Sequence, residues 1–88
     1  MIEKQYTIIA EEGLHARPAT ELLHVIKRYK SKVTIKNKYS TCESRSIIGI
    51  LSLQASFNSH IRVKIEGQDE KELAEALDRF FQIDILRL

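Results

Sequence analysis

The chain contains a single proline, Pro18, and its position decides where the first helix can start. Proline lacks a backbone N–H and breaks a helix interior, yet it suits the first helical turn, where that N–H has no partner anyway. Apolar residues follow at Ala19, Leu22, Leu23 and Ile26, the i, i+3, i+4, i+7 spacing of a one-sided helix. The spacing predicts a helix from about Ala16 to about Arg28, with His15 at or just before its N-terminus. Gly13 eases the turn into it. Lys27, Arg28 and Lys30 collect near the other end, where cations suit the helix dipole.

The start of this helix carries chemistry. Its first amides are unpaired and, with the dipole, favour negative charge, phosphate above all. A neutral imidazole at that point is a nucleophile, and Arg17 offers a fork of donors to an arriving phosphoryl group. Gly13-Leu14-His15-Ala16-Arg17-Pro18-Ala19-Thr20 is therefore suited to receive phosphate. Residue types alone leave the plainer reading open, in which His15 and Arg17 are solvated or cap the helix.

The rest of the chain divides cleanly by period. Ile2, Lys4, Tyr6 and Ile8 alternate with Glu3, Gln5, Thr7 and Ile9, as in a half-buried strand. Val33 and Ile35 alternate with Lys32, Thr34 and Lys36 in a second strand. Asn37-Lys38-Tyr39-Ser40 is a turn in which Asn37 is best suited to a left-handed conformation. A short third strand follows around Thr41 to Glu43, with Cys42 toward the core. Ser46 reads as an N-cap ahead of Ile47, Ile48, Ile50 and Leu51, in a helix kept short by Gly49 and a loop from Gln54 to Asn58. Ser59 to Glu66 alternates as a fourth strand, and Gly67 turns the chain. Asp69-Glu70-Lys71-Glu72 has the form of a capping box. Leu73, Leu77, Phe80 and Phe81 then supply the stripe of a last helix. The order βαββαβα predicts an α+β fold with helices packed on one face of an antiparallel sheet, an open-faced β-sandwich.

Gly13-Leu14-His15-Ala16-Arg17-Pro18-Ala19-Thr20 resembles the active-site segment of HPr, the family of histidine-containing phosphocarriers of the bacterial sugar phosphotransferase system. Ser44-Arg45-Ser46-Ile47-Ile48-Gly49-Ile50-Leu51-Ser52-Leu53 resembles that family's regulatory serine segment, at the matching separation. The resemblance implies a four-stranded sheet in one domain spanning residues 1–88. It implies that His15 accepts a phosphoryl group through Nδ1 from Enzyme I and passes it to sugar-specific IIA domains, with Arg17 at its side. It also implies that Ser46 is phosphorylated by HPr kinase/phosphorylase, the product serving a catabolite-control transcription factor as corepressor. Thr20, Arg45, Ile47, Ile48 and Leu51 would face these partners; residue patterning alone leaves Ser46 as a plain N-cap and part of the apolar trio in the core. The implied role is that of a phosphoryl carrier and not an enzyme, with no cofactor. The alternative within the family is a regulatory paralogue acting mainly through Ser46; retention of His15 and Arg17 favours the carrier.

Some positions depart from the family pattern. Glu12 stands where a small polar residue is common, Arg45 where lysine is, and Gln54 where glycine follows the Ser-Leu pair. The glycine-bearing turn after the second strand has become Lys38-Tyr39. The tail Ile83-Asp84-Ile85-Leu86-Arg87-Leu88 is unusually apolar and either extends the core or serves self-association as a homodimer.

Composition narrows the remaining classes. Eighty-eight residues suffice for one core, burying roughly 60–65% of the unfolded surface. Cys42 is the only cysteine, so no internal disulfide forms and a reducing compartment fits. No stretch reaches the ~20 apolar residues that span a bilayer, and the N-terminus lacks a signal-peptide pattern, so the expected compartment is the cytoplasm. A net charge of +2 and the run from Lys27 to Lys38 suit steering toward acidic protein partners more than nucleic acid. The strands lack the paired aromatics of an RNA-binding sheet. No metal cluster or glycine-rich nucleotide loop appears, and His24 and His60 read as surface histidines.

Overall fold

Alternation builds the sheet. In the computed structural model, which describes residues 1–38, 40–43 and 45–88, the described strands are β1 (Ile2–Thr7), β2 (Lys32–Lys36), β3 (Thr41–Glu43) and β4 (His60–Glu66). They form one antiparallel sheet in the order β1-β4-β2-β3. Ile61, Val63 and Ile65 of the central β4 point to the same side as Val33 and Ile35 of β2 and Tyr6 of β1, and all six are buried. Three helices cover that side: α1 (Ala16–Lys27), α2 (Ile47–Ser52) and α3 (Glu70–Gln82), followed by a 3-10 helix at Asp84–Arg87. The opposite side of the sheet is open. This is the α+β open-faced arrangement expected from the order of periods.

The helices interlock with the sheet through their apolar stripes. Ala19, Leu22, Val25 and Ile26 of α1 and Leu73, Ala74, Leu77, Phe80 and Phe81 of α3 are buried. Phe81 stacks on Tyr6 with ring centroids 4.4 Å apart, and Phe80 meets Phe81 edge-on at 5.1 Å, geometries that suit the ring quadrupoles. Lys4 lies on the core side of β1, but its stem reaches outward so that Nζ pairs with Asp78 at 3.2 Å. Ile85 of the 3-10 helix is buried as well.

Two local expectations are corrected. Asp69 does precede α3, yet its carboxylate makes no capping bond to that helix. It accepts instead from the Lys30 amide at 2.8 Å, the Ser31 amide at 2.9 Å and the Ser31 hydroxyl. Ser31 is buried, so leaving its donors unmet costs more than leaving a helix end to water. These bonds hold the Asp69 carboxyl below its ordinary value, the Ser31 hydroxyl contributing most. Asn37 is not left-handed. Its side chain shapes the turn by accepting from the Ser40 amide at 2.8 Å and by donating to the Leu53 carbonyl. Tyr39, in the same turn, lies outside the described residues.

Tyr6 gives an alkaline limit to stability. Its hydroxyl donates to Asp78 Oδ1 at 2.6 Å, and burial, with that hydrogen bond and the Asp78 charge, holds the phenol well above the ordinary value of 10.0. The folded-state value is raised, so this contribution is complete below about pH 10 and falls as pH rises further, because only the unfolded chain can then ionise. Tyr6→Phe is expected to cost about 1.5 kcal/mol at pH 7. Urea titrations should show that difference shrinking by about 1.4 kcal/mol per pH unit above pH 10.

Candidate functional site

The loop before α1 is held at several points. The Gly13 amide donates to the Ala10 carbonyl at 2.9 Å, closing a turn, and the Leu14 amide donates to the Ala55 carbonyl at 2.8 Å. Leu14 is fully buried, an anchor set between the turn and His15. Gly13 has φ +77, and a Cβ there would overlap the Ala55 carbonyl oxygen, so both conformation and space require glycine. Ala55 belongs to the loop after α2, which is bound in turn to the end of β1 through Asn58 N to Ile8 O at 2.8 Å and Ile8 N to Ser59 O at 2.9 Å. His15 is thus carried on backbone fixed from two sides.

His15 is the N-cap of α1 in an extended conformation, and its side chain makes no capping hydrogen bond. The capping role left open by the sequence is therefore not the one adopted. The imidazole is exposed, as are Ala16 and Arg17. No acidic residue occupies the first turn of α1, so nothing on the helix neutralises the positive end of its dipole. Pro18 is the third helical residue and brings no N–H, which leaves the amides of Ala16 and Arg17 as the open donors. Ala16 itself holds φ +47, a left-handed value that costs an alanine roughly 1–2 kcal/mol. The anchors on either side, Leu14 and Ala19, both fully buried, keep it there.

A groove of about 530 Å³ opens beside His15 and Arg17. One wall is Ile9 to Gly13, including Glu12; the other is the tail, through Ile85, Leu86 and Leu88. The tail extends the core through Ile85, whereas Ile83, Leu86 and Leu88 stay exposed. Among the described residues, Glu12 and Arg17 share no ion pair, so the guanidinium is not engaged by that carboxylate.

The second segment lies along α1. Ser46 caps α2, its hydroxyl accepting from the Gly49 amide at 3.4 Å. Ile50 turns into the core, Ile47 and Leu51 are half-buried, and Ile48 is 72% exposed. Arg45 donates from Nη2 to the carbonyls of Tyr29 at 2.7 Å and Ser31 at 3.3 Å, just beyond the C-terminus of α1. The other end of α2 leads to Ala55, beneath Leu14. So α2 runs antiparallel to α1, and Ser46 and His15 stand toward opposite ends of the pair with Ile48 and Leu51 between them. Thr20, exposed on α1, back-bonds to the Ala16 carbonyl at 3.2 Å. Ser44, first in the segment, lies outside the described residues.

Gln54 adopts φ +50, which explains why glycine suits this position after a helix. Cys42 is half-buried under α2, and burial pushes its thiol up, away from the thiolate that reacts. His24 and His60 are exposed; His24 lies 3.8 Å from Glu21, and His60 shares a 2.9 Å hydrogen bond with Thr7. No group of three or more metal-ligating side chains occurs among the described residues. None of the described helices is long and apolar enough to cross a membrane.

Residues 2–82 match the family model for the HPr component of the phosphotransferase system, described by its phosphorylation site. The chain belongs to the HPr family. A phosphocarrier protein HPr of Xylella fastidiosa (strain Temecula1) is 34% identical over 82 residues, spanning 93% of this chain and 92% of the relative. The crystal structure of HPr from Bacillus anthracis superposes with a TM-score of 0.86 at 32% identity, covering 92% of this chain and 96% of that one. Crh, the catabolite repression protein of Bacillus subtilis, crystallised as a swapped dimer, superposes at 0.72 with 28% identity, covering 93% and 94%. The HPr family is one of phosphocarriers.

Proposed function

We propose that this chain carries a phosphoryl group on His15, receiving it from Enzyme I and delivering it to sugar-specific IIA domains. One observation carries the reading: the His15 ring sits at the N-cap of α1, exposed and uncommitted to capping. A phosphoryl group on the ring would lie against an uncapped, acid-free helix start, with Arg17 free to offset its charge. This stabilises the phosphoprotein without burying it, as onward transfer requires. The test is incubation with Enzyme I and labelled phosphoenolpyruvate; acid-labile, alkali-stable label is the expected product, and failure to label would contradict the reading.

Glu12 sets the poise of this transfer. Glu12 lines the same groove as His15, and at a separation of about 6–8 Å from the phosphoryl group each unit of like charge costs roughly 0.5–2.8 kcal/mol for an effective dielectric between 80 and 20. Glu12→Ser is expected to move the equilibrium with Enzyme I toward phosphorylated protein by about tenfold at low salt, and by less as salt screens the charge. Equilibrium labelling at two ionic strengths measures it.

Ser46 is proposed as the site used by HPr kinase/phosphorylase, with the phosphorylated form read by a catabolite-control transcription factor. The placement of Ser46 toward the other end of α1 from His15 supports action on docking rather than on the phosphohistidine itself. Partners are proposed to dock across Ile48 and Leu51, with Ile47, Thr20 and Arg45 at the margins. Ser46→Asp and Ile48→Asp are therefore each expected to raise the KM for transfer from Enzyme I by about tenfold. Both should leave stability nearly unchanged, because Asp also caps helices and Ile48 is exposed. A homodimer built on Leu86 and Leu88 would cover the groove at His15, so transfer is assigned to the monomer.

A further inference from the structure

The open side of the sheet carries an unbalanced row of donors. Four strand positions on that side hold lysine or arginine: Lys32, Lys36, Arg62 and Lys64. Two of them have carboxylate partners, Lys32 with Glu43 at 3.0 Å and Lys64 with Glu66 at 3.5 Å. Lys36 and Arg62 have none among the described residues, and they are directly opposite each other in the β2–β4 register. Like charges in that relation oppose folding.

The row continues to both edges without an acid. Arg62 is opposite Gln5 of β1, and Lys36 is opposite Thr41 of β3. Gln5, Arg62, Lys36 and Thr41 are all exposed. At the usual strand spacing they form a line about 14 Å long. A groove of about 550 Å³ is lined by these four residues and, on the side of the next row, by Glu3, Thr34 and Lys64. A smaller one, of about 280 Å³, adjoins Gln5, Lys36 and Arg62 from the side of His60.

We propose that this row is a binding site for a small ligand bearing a phosphate ester or diphosphate, separate from His15 and facing away from the helices. Two adjacent cations match a dianion, the Arg62 fork suits phosphate oxygens, and the Gln5 amide and Thr41 hydroxyl add neutral donors. The bound anion offsets the repulsion between Lys36 and Arg62. The next row along the sheet reads Glu3, Lys64, Thr34, Glu43, with Glu66 beyond it. These carboxylates border the site and repel an extended polyanion, which selects a compact ligand over nucleic acid.

The test is a ¹H–¹⁵N NMR titration of the whole protein with pyrophosphate at low salt. Saturable shifts at Gln5, Lys36, Thr41 and Arg62 are expected. Arg62→Gln and Lys36→Gln should each weaken binding by about tenfold, while Lys71→Gln, on α3 across the sheet, should change it less than about twofold. Shifts spread evenly over all lysines, shifts only at the start of α1, or affinity unaltered in both variants would overturn the site. Tighter binding of a single-stranded oligonucleotide than of pyrophosphate at the same row would overturn the choice of ligand.

Discussion

His15→Ala is expected to take up no acid-labile phosphate from Enzyme I and phosphoenolpyruvate, while its urea midpoint stays within the error of the native protein. Both halves follow from the same geometry. The imidazole is exposed and makes no capping bond, so the fold loses little when it goes. The proposed transfer loses its acceptor, since the groove is lined by no other histidine: His24 is about two and a half turns along α1, and His60 is on β4. Loss of label together with loss of folding would instead make His15 a structural residue. Label retained in the folded variant would move the acceptor elsewhere.

Gly13→Ala should do the reverse, leaving the chemistry in place and disturbing its support. Alanine at φ +77 costs roughly 1–2 kcal/mol. The added Cβ would overlap the Ala55 carbonyl oxygen and lie 3.0 Å from Ser56 Cα. Neither is the end of a flexible side chain, so backbone must shift, at a further cost of about 1–3 kcal/mol. A total near 3 kcal/mol is expected from urea unfolding. The shift breaks the Leu14–Ala55 hydrogen bond first, so transfer from Enzyme I should slow by at least about tenfold under conditions where the variant is folded. A variant as stable as the native protein would mean that the loop is not held by Ala55.

The contrast between these residues marks what the sequence made legible. His15, Arg17 and Pro18 announce a helix start by local rules, and the strands and longer helices follow from their periods. Leu14 and Ala55 give weaker signals: an apolar residue inside a loop, and a small one in a segment that reads as a connector. Their role depends on a contact some forty residues apart in sequence. Asp69 shows the same limit from the other side. Its spacing to Glu72 fits a capping box, yet the buried donors of Ser31 compete for the carboxylate and win, because they have no access to water. The apolar cluster of α2 shows where the face falls only once the helix is seated, with Ile50 inward and Ile48 outward. Likewise, the tail becomes a wall of the His15 groove because α3 ends beside the start of α1, which no local pattern reveals. The donor row of Gln5, Arg62, Lys36 and Thr41 required strand order and register.

A carrier role on His15 requires that phosphate both arrive there and leave for a partner. A rapid-quench chase measures this directly: protein labelled by Enzyme I is separated from donor and mixed with a panel of purified IIA domains. At least one IIA domain is expected to take the label in a single fast phase, faster than hydrolysis, leaving unlabelled protein that can be charged again. Label that remains on His15 until it hydrolyses, with every IIA domain in the panel, would contradict the carrier role.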